Sequence, residues 1–128
     1  MDELEKEIKA TRVIMHPGRY AYLKVKKPTL GDHFLISQDN DEVTIVTKEK
    51  NVPKTEHEKA VKWFKLLEFR ITKPFSCLGF LASIANAIAS KRINLLIVST
   101  FSKDFALIRE EDSEAALQAL RERGFSII

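Results

Sequence analysis

The chain has 128 residues, 45% of them apolar and 30% charged, a composition that excludes a disordered polypeptide and suits one compact domain or two very small units sharing a core. Its 21 basic and 18 acidic residues give a net charge of +3, and the basic residues are dispersed; the densest run, Lys24 to Lys27, has no aromatic-plus-basic signature, so no nucleic-acid partner is expected. No apolar run approaches the ~20 residues of a membrane span, the opening MDELEKEIKA is acidic and amphipathic, and the single cysteine, Cys77, cannot form an internal disulfide, so no membrane partner and a cytoplasmic location are expected.

In chain order, a short helix is expected over Asp2 to Ala10, then strands at Thr11 to Met15 and Tyr20 to Val25, with His16-Pro17-Gly18 as the turn between them. Phe34 to Ser37 and Val43 to Val46 flank the acidic turn Asp39-Asn40-Asp41 and read as a hairpin. Asn51 to Glu58 is polar, contains Pro53 and is the best linker candidate. From Ala60 to Ile71 the apolar spacing fits a helical turn at first and a strand from about Trp63.

Ser76 is placed to cap a helix whose apolar positions Leu78, Leu81, Ala82, Ala85, Ile88 and Ala89 recur at helical spacing, with Ser83, Asn86 and Ser90 on the opposite side. Leu95 to Phe101 and Phe105 to Ile108 are expected strands. Asp112 is placed to cap a second helix that carries Glu114 near its start and Arg121 and Arg123 near its end, and that stops at Gly124 before a short strand, Phe125 to Ile128. From Trp63 the order is strand, helix, strand, strand, helix, strand, the split βαβ arrangement with both helices on one face of an antiparallel sheet. About sixty residues make a poor core alone, so the strand-rich first half is expected to pack on or continue that sheet.

Several chemistries leave no trace. There is no Gly-rich phosphate loop, no dinucleotide fingerprint, no paired-histidine zinc motif and no nucleophile elbow, and the three histidines, His16, His33 and His57, fall in separate loop-like stretches. No metal, no cofactor and no catalytic residue is expected, and the chain is read as a non-enzyme. Cys77 at a helix start is either a thiol activated by the helix dipole or a small apolar residue filling space beside Phe75 and Leu78. Pro74 to Gly79 is a strand-to-helix junction whose N–H groups form a cradle for a carboxylate, and Gly79 serves either close approach of a ligand or tight packing on the sheet. Ser99, Thr100 and Phe101 end one strand and Asp104 begins the next. Read locally, Ser102-Lys103-Asp104 is a solvated hairpin turn, and it is expected to project from the end of the sheet opposite the Gly79 junction.

Lys73 to Ile128 resembles an ACT domain of the small two-module branch. The likeness rests on Gly79-Phe80-Leu81-Ala82-Ser83-Ile84, on Ile97-Val98-Ser99-Thr100-Phe101 followed by Asp104-Phe105, on Leu107 to Asp112, and on Ala119 to Gly124. In the first half it rests on Pro17 to Tyr20, Asp41 to Val46, Val52-Pro53 and Trp63. The stretch from Ser99 to Phe105 resembles one in the cytosolic arginine sensor of animals, and the ACT-like modules are similar, more distantly, to the regulatory modules of aspartate kinases. The resemblance implies an α+β fold of tandem ACT-like, ferredoxin-like βαββαβ modules, with residues 1–62 as a strand-rich first module and residues 63–128 as the ACT domain.

It further implies an amino-acid-binding regulatory module acting allosterically as a homodimer, with the ligand at an intermodule or dimer interface lined by Leu78, Gly79, Ser99, Thr100, Phe101 and Asp104. The rival reading is a protein-interaction module that dimerises without a small ligand. Two positions depart from the family pattern: Lys103 stands where many members carry threonine, and no acid lies between Ile71 and Gly79. A cation beside Asp104 weakens recognition of a basic ligand.

Overall fold

A computed structural model of the chain describes residues 2–72 and 76–128. Two compact units emerge, one comprising Met1–His16 and Leu66–Ile128 and the other Pro17–Lys65. The division expected between residues 62 and 63 falls inside a single strand, β5 (Lys59–Arg70), which contributes backbone to both units. The helical turn expected near Ala60 is therefore strand. Its first residues pair with a neighbouring strand from Lys59 onward, and ladder pairing overrides a weak local helical spacing.

The larger unit begins with α1 (Glu3–Ala10), started by Asp2, whose carboxylate accepts the Glu5 amide at 2.8 Å. β1 (Arg12–Met15) then runs antiparallel to β5, with Val13 opposite Phe69. After β5 come α2 (Phe80–Ala89), β6 (Leu96–Ser99), β7 (Asp104–Arg109), α3 (Ser113–Arg123) and β8 (Ser126–Ile127). The expected order strand, helix, strand, strand, helix, strand is present. Strand pairings give β8–β1–β5–β7–β6 across this unit, so β1 is inserted between the first and last strands of the βαββαβ unit and pairs in parallel with β8.

That insertion answers the shortage of core in a sixty-residue module. Ile8 of α1 and Val13 of β1 are fully buried in one cluster with Phe69, Ile84, Ile108 and Leu120, and Phe125 packs edge-on against both Phe69 and Phe80. Arg123, at the end of α3, forks onto Glu5 of α1 at 2.8 and 3.1 Å.

Helix α2 is shifted from its expected form. It starts at Phe80, with Gly79 and not Ser76 in the cap position, and buries Phe80, Ser83, Ile84 and Ile88. Leu78 and Leu81, expected inside, are 91% and 42% exposed, while Ser83, expected outside, is buried with its hydroxyl donating to the Phe80 carbonyl at 2.6 Å. Spacing alone left the apolar face ambiguous, because Phe80, Ile84 and Ile88 form a second stripe at the same period. Asp112 precedes α3 without a side-chain cap bond, and Gly124 closes the helix in the left-handed conformation, φ +118°. Pro74 and Phe75, in the expected junction, lie outside the described residues.

The smaller unit consists of β2 (Tyr20–Val25), β3 (Leu35–Gln38), β4 (Val43–Lys48) and the first part of β5, in the antiparallel order β3–β4–β2–β5. The expected hairpin is present, with Leu35 opposite Val46, and the Asp39 carboxylate accepts the Asp41 and Glu42 amides in its turn. The expected linker is ordered instead. Glu49–Lys54 forms a 3-10 helix that inserts Val52 into a core with Ala21, Leu23 and Ile45. This unit contains no α-helix, so a βαββαβ module with helices on one face describes the larger unit and not the first half of the chain.

Candidate functional site

Strand parity positions the site. β5 leads into α2, which returns alongside the sheet, and β6 then runs back the other way, so the start of α2 and the β6–β7 turn meet at one end of the larger unit. The expectation that these two segments sit at opposite ends is overturned. A cavity of ≈ 330 Å³ is lined by Leu78, Gly79 and Leu81 on one side and by Ser99, Thr100, Lys103 and Asp104 on the other. Of the expected site residues, Leu78, Gly79, Ser99, Thr100 and Asp104 are gathered here, whereas Phe101 is absent from the lining and projects from the turn, 84% exposed.

The turn is built from its own polar groups. The Thr100 amide donates to the Lys103 carbonyl at 2.9 Å, closing a two-residue connection, and Ser99 and Asp104 face each other across the ladder. The Ser99 hydroxyl donates to Asp104 Oδ1 at 2.6 Å, which fixes the half-buried carboxylate at the edge of the turn. On the other wall Gly79 has φ +85° and ψ 0°, a left-handed conformation that directs the chain from Leu78 into α2. A Cβ there would meet only Leu4 Cδ2, at 3.5 Å, so the glycine is demanded by backbone angle and not by crowding. Cys77 also lines the cavity, half-buried and packed against the core.

A charged cluster that the sequence did not signal lies on β5 and at His16, just past the end of β1. The Glu68 side chain is buried, with His16 Nε2 at 2.8 Å from Oε1 and Arg70 Nε donating to Oε2 at 2.8 Å. Burial pushes its pKa up, but the hydrogen bonds of Arg70 and His16, together with the charges of Lys103 and Arg70, outweigh it and hold the carboxyl below its ordinary value. Period-two alternation turns Glu68 to the face opposite Leu67 and Phe69, yet its register opposite Ile14 and its ion partners emerge only from pairing.

The other two histidines are in the smaller unit, each with its own partner: His33 Nδ1 meets Thr47 Oγ1 at 2.8 Å and His57 Nδ1 the Thr55 carbonyl at 2.7 Å. Among the described residues no group of three or more His, Cys, Asp or Glu could hold a metal ion, and no helix is long and apolar enough to cross a membrane. A larger cavity of ≈ 450 Å³ in the smaller unit is bordered by Lys26, Lys27, Glu56, His57 and Glu58, all exposed, where solvent screens the mixed charges.

The larger unit is thus a ferredoxin-like α+β domain with a small cavity at the helix-start end of its sheet. Residues 68–122 match the family model of the ACT domain, and this stretch of the chain is an ACT domain. Among solved structures, the chain is similar to a protein of unknown function from Vibrio cholerae described as a possible transport protein, at 20% identity over 94% of this chain and 95% of that one, with a TM-score of 0.80. A protein from Agrobacterium tumefaciens is 22% identical over 92% of each chain, with a TM-score of 0.72. The regulatory subunit of aspartate kinase from Thermus thermophilus is 15% identical over 87% of this chain and 96% of that one, with a TM-score of 0.65. At such identities the likeness is one of fold. No curated protein matches the chain.

Proposed function

We propose that the ACT domain binds a free amino acid in the cavity between Gly79 and Asp104 and serves as a non-enzymatic regulatory module. One observation carries the reading: Leu78 and Gly79 at the start of α2 and Ser99, Thr100 and Asp104 at the β6–β7 turn border a single ≈ 330 Å³ space, near the lower end of the roughly 300–1,000 Å³ typical of small-molecule pockets. A mostly apolar lining with a few convergent polar groups suits such a ligand. The match to regulatory subunits in fold accords with this role. Regulation requires the ligand to bind one arrangement of the protein more tightly than another.

In the same reading the protein works as a homodimer in the cytoplasm, with the strand-rich residues 17–65 as the companion module. Leu78 and Leu81 of the lining are exposed, as are Ile97 on β6 and Phe101 in the β6–β7 turn, and a second copy covering Leu78 and Leu81 would close the ligand in. The same exposed residues favour the second reading, a protein-interaction module without a small ligand. Titration calorimetry with the twenty amino acids decides between them. Heat from at least one, with Asp104→Ala changing the selectivity while urea stability stays within about 0.5 kcal/mol, supports the ligand site. Silence for all twenty at protein concentrations that reveal millimolar binding refutes it.

A further inference from the structure

We propose that α1 clamps the wall of the amino-acid cavity, with Glu7 as the positioning residue that ties the end of β5 to the helix. The clamp rests on the amino-acid-binding reading and adds the element that sets the affinity of that site. Leu4, Glu7 and Ile8 recur at helical spacing and form the face of α1 turned to the larger unit. Ile8 is fully buried in the core, and Leu4 packs beside it with Cδ2 3.5 Å from where a Cβ would stand at Gly79. The Glu7 side chain reaches the other way. Buried at 4% exposure, it accepts the Thr72 amide on Oε1 at 2.6 Å, and the Thr72 hydroxyl lies 2.8 Å from both of its oxygens. One helix face thus meets the chain at Thr72, next to Ile71 of the lining, and at Gly79, itself in the lining with Cys77 and Leu78.

The contact begins where strand pairing stops. The ladder of β5 with β1 ends at Arg70, opposite Arg12, and the next amide, Ile71, turns back onto the Phe69 carbonyl at 3.1 Å. Thr72 has therefore left the ladder, and the Glu7 carboxylate takes the place of a strand neighbour with a charge-assisted bond, stronger than the neutral one it replaces. The Glu7 carbonyl also accepts the Thr11 amide at 2.9 Å and the Thr11 hydroxyl at 2.7 Å, so this one residue joins the α1–β1 corner to the exit of β5. Neither Glu7 nor Thr72 is among the described lining. Their effect on a bound amino acid is indirect: a wall already fixed in place spares the ligand the cost of ordering it.

The test uses Thr72→Val, which removes the hydroxyl at an exposed position, and Glu7→Ala, which removes the acceptor, with Ile8→Val as the control for lost packing on the same helix. Amide hydrogen exchange on the full chain is followed at Phe80 and Ser83, whose amides donate to the Cys77 and Gly79 carbonyls, and at Leu67 and Phe69 of β5. Both variants should speed exchange at Phe80 and Ser83 about tenfold relative to Leu67 and Phe69, as the loss of one charge-assisted bond predicts. They should also weaken about tenfold whichever of the twenty amino acids binds the wild type in calorimetry, and Ile8→Val should do neither. Exchange that keeps its wild-type ratio in both variants, or that Ile8→Val raises as much, overturns the clamp while the amino-acid site stands. Faster exchange with unchanged affinity overturns the role of Glu7 in binding. Silence for all twenty amino acids removes the reading on which the clamp rests.

Discussion

Gly79→Ala tests how the start of α2 shapes the cavity. Gly79 has φ +85°, where a Cβ crowds the following carbonyl and costs roughly 1–2 kcal/mol. Sterics beyond the backbone add little, because the nearest side-chain atom to an added Cβ is Leu4 Cδ2 at 3.5 Å, an ordinary contact. With a urea dependence of about 1–3 kcal/mol per molar, the unfolding midpoint of the substituted protein should fall by roughly 0.5–1 M. Gly79→Asn should cost less than Gly79→Ala, since asparagine tolerates the left-handed region through local hydrogen bonds of its side chain. The assay is urea unfolding followed by far-ultraviolet circular dichroism on the three proteins in parallel. A loss below about 0.3 kcal/mol, or asparagine costing more than alanine, would show that backbone angle is not what the position requires.

The buried carboxylate gives a pH signature. Glu68 has its pKa lowered on folding, so its charge stabilises the protein fully above the unfolded carboxylate pKa, and that stabilisation is lost as pH falls through the lower folded value. Glu68→Gln should therefore cost about 1.5–3 kcal/mol near neutral pH, and the gap from wild type should shrink on acidification; a gap that is constant or widens towards acid would refute the assignment. Ile84, 1% exposed, and Leu81, 42% exposed, lie on the same helix, so Ile84→Ala should cost about 2–5 kcal/mol and Leu81→Ala less than about 1 in urea unfolding. Equal losses would contradict the observed face of α2. Phe101→Ser should leave unfolding within about 0.5 kcal/mol while weakening self-association in sedimentation velocity; unchanged association would exclude Phe101 from any contact between copies.

Much of the larger unit was legible because its signals are local. The apolar stretch before Ser99 and Gly124 after Arg123 each act within a few residues, through strand propensity and left-handed closure. The face of α2 was not legible. Two apolar stripes, one through Leu78 and Leu81 and one through Phe80, Ile84 and Ile88, have the same helical period, and only the sheet beneath chooses between them. The 3-10 helix Glu49–Lys54 was hidden for a related reason: one buried residue, Val52, anchors it, and a single apolar residue among polar neighbours has no periodicity to detect.

The sequence by itself determined the order of elements from Trp63 to the C-terminus and the likeness to the ACT domain, because both reside in contiguous stretches whose patterns and motifs repeat along the chain. Tertiary structure alone decided that α1 and β1 complete the core of the larger unit, that β1 separates β5 from β8, and that Gly79 and Asp104 face one cavity. These are pairings between residues 25 to more than 100 positions apart. Their energy comes from burial and strand register, which no local spacing encodes.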